Sequence, residues 1–171
     1  MKQQQPATTI VLYAEDKKGL LGQVLMLLNR RDFPVISLSV ARTDIHELVI
    51  ITLEVVLPQA ELHIILHKLE KIIEVYKAEA YFAGTFELNK VGHYRLVEKV
   101  LDQQLFELLQ RHGAIVCRSS SNELVIQKTG TDRDLQILYD LLEGRHLQSF
   151  CKSALIAEPS LAVLNDLDRS T

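Results

Sequence analysis

The chain has 171 residues, 47% of them hydrophobic and 24% charged, with 19 Lys and Arg against 22 Asp and Glu for a net charge of −3. That length holds one ordinary domain or two of roughly 80 residues, and it excludes a large multidomain enzyme. The balance is that of a globular chain, without the basic surplus of a nucleic-acid binder or the roughly 20-residue apolar run of a membrane span.

Met1–Thr9 is polar and lacks the apolar stretch of a secretory signal, so the cytoplasm is the expected compartment. Thr8–Glu15 is β-branched and aromatic, which suits a strand, and Asp16-Lys17-Lys18-Gly19 breaks it. Leu20, Leu21, Val24, Leu25, Leu27 and Leu28 recur at helical spacing, predicting a helix over Lys18–Arg31 that Pro34 forbids from continuing. Val35–Thr43 and Glu47–Leu57 read as two strands joined by a short turn at Asp44. After Pro58, Leu62, Ile65, Leu66, Leu69, Ile72 and Ile73 mark one stripe of a second helix, and Val75–Phe82 returns to strand character.

That order is βαββαβ, and it ends near Ala83-Gly84. The rest repeats it: a strand over Thr85–Val91, a helix carrying Val97, Val100, Leu101, Leu105, Leu108 and Leu109 to His112-Gly113, and a hairpin of Ala114–Arg118 and Glu123–Lys128 around Ser119–Asn122. A helix through Leu135–Leu142 closed by Gly144, and a strand over Leu147–Ala157, complete it. Leu27-Leu28-Asn29-Arg30-Arg31 echoes Leu108-Leu109-Gln110-Arg111-His112, and Glu47-Leu48-Val49-Ile50 echoes Glu123-Leu124-Val125-Ile126. The expected architecture is α+β, with two tandem ferredoxin-like βαββαβ domains at residues 1–83 and 84–171. Neither third strand carries the aromatic residues of an RNA-recognition domain, and each half has a near-neutral charge.

No catalytic constellation emerges. His63 and His67 have i, i+4 spacing but no third ligand or accompanying glutamate, and they read as surface histidines. His46 falls in a turn, His93 in a loop opening a helix, and His112 and His146 at helix ends. Glu15 and Asp16 are adjacent carboxylates that diverge on a strand-to-turn stretch, and Ser119–Ser121 lacks a nucleophile-elbow setting. Cys117 and Cys151, with no CxxC spacing, read as reduced core residues. No metal and no cofactor is expected. The loop Glu15–Leu21 stands out because a helix N-terminus offers unpaired N–H groups to a carboxylate and Gly19 permits close approach. Equally, Asp16 is explained as a helix cap and Gly19 as a tight-packing residue.

An acidic-to-glycine loop followed by Leu-Leu, then Arg30–Thr43 (RRDFPVISLSVART), resembles the ACT-domain family of acetolactate synthase small, regulatory subunits. Glu87–Val91, Leu109–Ala114, Lys128-Thr129-Gly130 and Phe150–Ala157 resemble that family's C-terminal domain, so the likeness covers about Thr9–Ala157. The resemblance implies a protein with no catalysis of its own. It would bind and activate a thiamine-diphosphate-dependent catalytic subunit in branched-chain amino acid biosynthesis and relay feedback by valine or a related amino acid. It implies a homodimer through ACT domains, with the effector at the interface near Asp16, Lys18, Gly19, Leu20 and Leu21 and near Pro34, Val35 and Ile36. Val40-Ala41 matches the family's Val-Ala segment. The family usually has asparagine at the positions of Asp16 and Pro34, where it contacts the amino acid. Pro34 offers no side-chain amide, and Asp16 accepts hydrogen bonds while repelling a carboxylate, so valine sensing is expected to be weakened, lost or retargeted. The competing reading is a free-standing tandem ACT regulator sensing another amino acid. A small enzyme or a nucleic-acid module is the residual alternative. The tail after Pro159, with Leu161, Leu164 and Leu167, is expected to pack on the core.

Overall fold

The computed structural model describes residues 7–82, 89–97, 102–120, 123–144 and 147–153. In chain order the first unit holds β1 (Thr8–Glu15), α1 (Leu20–Asn29), β2 (Val35–Arg42), β3 (Leu48–Val55), α2 (Gln59–Leu69) and β4 (Val75–Tyr81). The second holds β5 (Lys90–Leu96), α3 (Gln103–Arg111), β6 (Ala114–Ser120), β7 (Glu123–Gly130), α4 (Asp132–Glu143) and β8 (Leu147–Lys152). Each half is the expected βαββαβ unit. The sheets have the strand orders β2-β3-β1-β4 and β6-β7-β5-β8, with every pairing antiparallel. The two compact units part between β4 and β5. The expected boundary at Ala83-Gly84, the tail after Pro159 and His146 lie outside the described residues.

In the first unit, Leu20, Val24 and Leu28 of α1 and Leu62, Ile65 and Leu69 of α2 pack on Ile10 and Leu12 of β1 and on Val49, Ile51 and Leu53 of β3. The alternate residues Val11, Tyr13, Ile50 and Thr52 are buried as well. Strands buried on both faces read as nearly continuous apolar runs, which is why these two are so plain in the sequence. The stripe assigned to α2 ran too far. The helix stops at Leu69, Ile72 packs on the core from the following turn, and Ile73 is 92% exposed.

The second unit keeps one sheet face open. Gly92, Tyr94 and Leu96 of β5 point to the buried side, and His93 and Arg95 alternate outward. His93 is therefore mid-strand, and the loop assignment is corrected: β5 begins at Lys90 and runs to Leu96, past the expected end at Val91. Val97 follows the strand and is not part of α3. The cysteine assignment is corrected too, since Cys117 and Cys151 are both exposed, reduced thiols. Each lies on an edge strand. Register places Ile115, Gln127, His93 and Cys151 in one row across the sheet, and Cys117 sits at the bulge where β6 shifts against β7. Edge strands with an open face leave such side chains exposed, although the Cys117 thiol donates to the Val125 carbonyl at 3.3 Å. Among the described residues no helix is long and apolar enough to cross a membrane.

Candidate functional site

β1 delivers the chain to one end of the first sheet, where Glu15 pairs with Leu48. The backbone then turns through Asp16–Gly19: the Lys17 amide donates to the Glu15 carbonyl at 2.8 Å, and the Asp16 amide to the Glu47 carbonyl at 2.7 Å. Gly19 occupies the N-cap of α1 with φ of 89°, a left-handed conformation that costs an L-residue roughly 1–2 kcal/mol. A Cβ placed there would meet nothing within 4 Å, so the backbone angle alone demands glycine. Gly19→Ala is expected to lower the unfolding free energy by about 1 kcal/mol and Gly19→Asn by less, because Asn tolerates this region better. Urea denaturation of the three proteins checks the ranking.

The capping explanation of Asp16 is overturned. No side chain caps α1 and its first turn carries no acid. Asp16 Oδ2 instead accepts from Arg42 Nε at 2.9 Å, at the end of β2. Arg42 escaped the sequence reading because only the register of β2 on β3, Arg42 opposite Val49, brings it to this end of the sheet. It is well exposed, and beyond the Nε–H given to Asp16 its guanidinium carries further N–H donors. An exposed carboxylate and guanidinium thus stand side by side next to an uncapped helix N-terminus. The guanidinium and the helix N-terminus both suit a carboxylate, while the Asp16 carboxylate is already engaged by Arg42. Lys17 pairs with Glu15 at 2.8 Å, and this hydrogen bond raises the ammonium pKa above its ordinary value. Lys18 and Gly19 are exposed, Leu21 is half-buried, and Leu20 belongs to the core.

The other expected contacts stand elsewhere. Val35 of β2 pairs with Val55, which pairs with Thr8 at the start of β1, so Pro34, Val35 and Ile36 occupy the opposite end of the sheet from Gly19. The length of β2 separates the two clusters by roughly 20 Å or more. Within one copy they form no common site. The Pro34 carbonyl accepts from the Val56 amide at 3.0 Å, and the bulge between Val35 and Ser37 leaves Ile36 55% exposed. β2 is an edge strand, and Val40 is exposed on it as well.

His63 and His67 are exposed on α2, and no group of three His, Cys, Asp or Glu side chains that could hold a metal occurs among the described residues.

Residues 16–78 match the family model of the ACT domain. The chain is 29% identical over 157 residues to the acetolactate synthase small subunit of Mycolicibacterium smegmatis, covering 89% of this chain and 90% of that protein. It is 26% identical over 155 residues to the small subunit of Mycobacterium leprae, covering 89% and 90%. The crystal structure of the Thermotoga maritima small subunit superposes with a TM-score of 0.74 at 18% identity, covering 89% of this chain and 96% of that one, which shows a shared fold. The first unit thus matches the ACT domain, and the chain is similar over nearly its whole length to small subunits of acetolactate synthase.

Proposed function

We propose that this protein is the non-catalytic, regulatory small subunit of a cytoplasmic acetolactate synthase, raising the activity of a separate catalytic subunit and carrying an amino-acid effector site. The observation that carries the reading is the end-to-end likeness to small subunits, which spans both units and not the ACT domain alone. Mixing the full chain with the catalytic subunit of its own host tests it. Faster pyruvate condensation together with a stable complex is the expected result. Absence of both rejects the reading.

The effector site is completed by a second copy. Two β2 edges related by a two-fold axis run antiparallel, so the Asp16–Leu21 end of one chain meets the Pro34–Ile36 end of its partner. The exposed apolar side chains of Ile36 and Val40 on that edge favour such pairing. In this site Asp16 is tied to Arg42, and Pro34 contributes no side-chain polar group. Valine at sub-millimolar concentration is therefore expected to leave calorimetric heats and melting temperature unchanged. The double variant Asp16→Asn, Pro34→Asn, which installs the amides usual in the resembling family, is expected to gain valine affinity. Tight valine binding by the unaltered chain would refute this account of the site.

A further inference from the structure

The outer, helix-covered side of the first unit carries a groove of about 410 Å³ between α1 and the C-terminal end of α2. Its floor is apolar: Leu27 and Ile72 rest on the core, and Met26 is 54% exposed. Its walls are cationic, with Arg30, Arg31, Lys68 and Lys71, and among the described residues no Asp or Glu lines it. Arg31 is committed to Glu61. Arg30, Lys68 and Lys71 are exposed and make no ion pair among the described residues. Cations near helix C-termini complement the dipole, which accounts for each charge singly. It does not account for an apolar floor between them that no described residue covers, in a chain whose net charge is −3. Like charges gathered around exposed apolar surface repel one another and are relieved by a partner of opposite sign.

We infer that this groove is a docking site for an acidic segment of a protein partner. An apolar side chain of that segment would rest on Met26, Leu27 and Ile72, and its carboxylates would meet Arg30, Lys68 and Lys71. Under the proposed function, on which this rests, the segment belongs to the catalytic subunit. The groove lies on the helices and uses no residue of the effector site, so occupancy of one leaves the other open.

The test measures the affinity of the full-length chain for the catalytic subunit, by sedimentation or calorimetry, at low and high salt. The unaltered chain is expected to bind more weakly as salt rises, since exposed charges are screened. Lys68→Glu with Lys71→Glu is expected to weaken binding by about tenfold or more at low salt and to flatten the salt dependence. Lys68→Gln with Lys71→Gln gives a smaller loss in the same direction, so the reading survives any folding defect of the reversed pair. Arg133→Glu on the second unit serves as the charge control and is expected to bind as the unaltered chain does. Equal binding by both double variants overturns the groove assignment and leaves the proposed function standing. Unchanged partner affinity with lost binding of inorganic triphosphate also overturns it, assigning the groove to a small anion. If the unaltered chain does not bind the catalytic subunit at all, the proposed function falls and this inference with it.

Discussion

Tyr94→Ala is expected to lower the unfolding free energy by about 3–5 kcal/mol, the usual cost of deleting a large buried side chain. Tyr94 is fully buried in the core of the second unit. Its ring lies 4.8 Å from that of Phe150, and Phe150 in turn meets Tyr139 at 5.4 Å. The hydroxyl donates to the Leu135 carbonyl of α4 at 2.7 Å, tying the central strand to the helix above it. Burial pushes the phenol pKa up to about 12, so it remains a neutral donor throughout the physiological range. The strand makes room for the ring at Gly92, where a Cβ would come within 3.0 Å of Leu135 and 3.2 Å of the Tyr94 ring. Tyr94→Phe keeps the ring and loses one hydrogen bond, so it should cost only about 1 kcal/mol. Denaturant unfolding of the two variants checks the ratio, and a Phe variant as unstable as the Ala variant would contradict the packing account.

Tyr94 also lies in the strand whose sequence pattern is least legible. The elements of the first unit were legible because β1 and β3 are buried on both faces, leaving unbroken runs of apolar residues. β5 was displaced because its first two inward positions are Lys90 and Gly92 and its outward ones carry His93 and Arg95, which hide the alternation. The exposed cysteines were misjudged for a related reason, since an apolar neighbourhood in sequence says nothing about which face of an edge strand is covered. The loop at Gly19 was legible, because a glycine between a strand and a helix has few roles. Its pairing of Asp16 with Arg42 was not, because it depends on strand register between residues 26 positions apart. The separation of Gly19 from Pro34 was hidden for the same reason, and it turns a list of contacts into an argument for two copies.

Asp132→Asn is the second large effect, and its signature lies in pH. Thr131 caps α4: its hydroxyl oxygen accepts from the Asp134 amide at 3.2 Å, and the Asp134 carboxylate accepts from the Thr131 amide at 3.0 Å. One residue into the helix, Asp132 accepts from Lys90 Nζ at 2.6 Å and also from Lys152. It thereby binds the start of β5 and the end of β8 to the helix N-terminus. Lys90 is only 3% exposed, so the carboxylate neutralises an ammonium that water scarcely reaches. Partial burial pushes the Asp132 carboxyl up, but the hydrogen bonds from Lys152 and Lys90 outweigh it and hold the group below the ordinary carboxylate range. A depressed folded-state pKa contributes stability that is fully present above the unfolded value, near 3.9 for Asp, and is lost as pH falls through the folded value. Breaking a buried pair costs about 3–5 kcal/mol. Asp132 is half exposed, and solvent screening reduces the expected loss in Asp132→Asn to about 1–2 kcal/mol at pH 7. The gap between the two proteins should then narrow as pH drops below about 4, because the unaltered chain protonates the same carboxyl that the variant lacks. Urea unfolding at pH 7 and pH 3 measures both gaps. An equal gap at the two values would mean that Asp132 acts through shape or helix propensity and not through its charge.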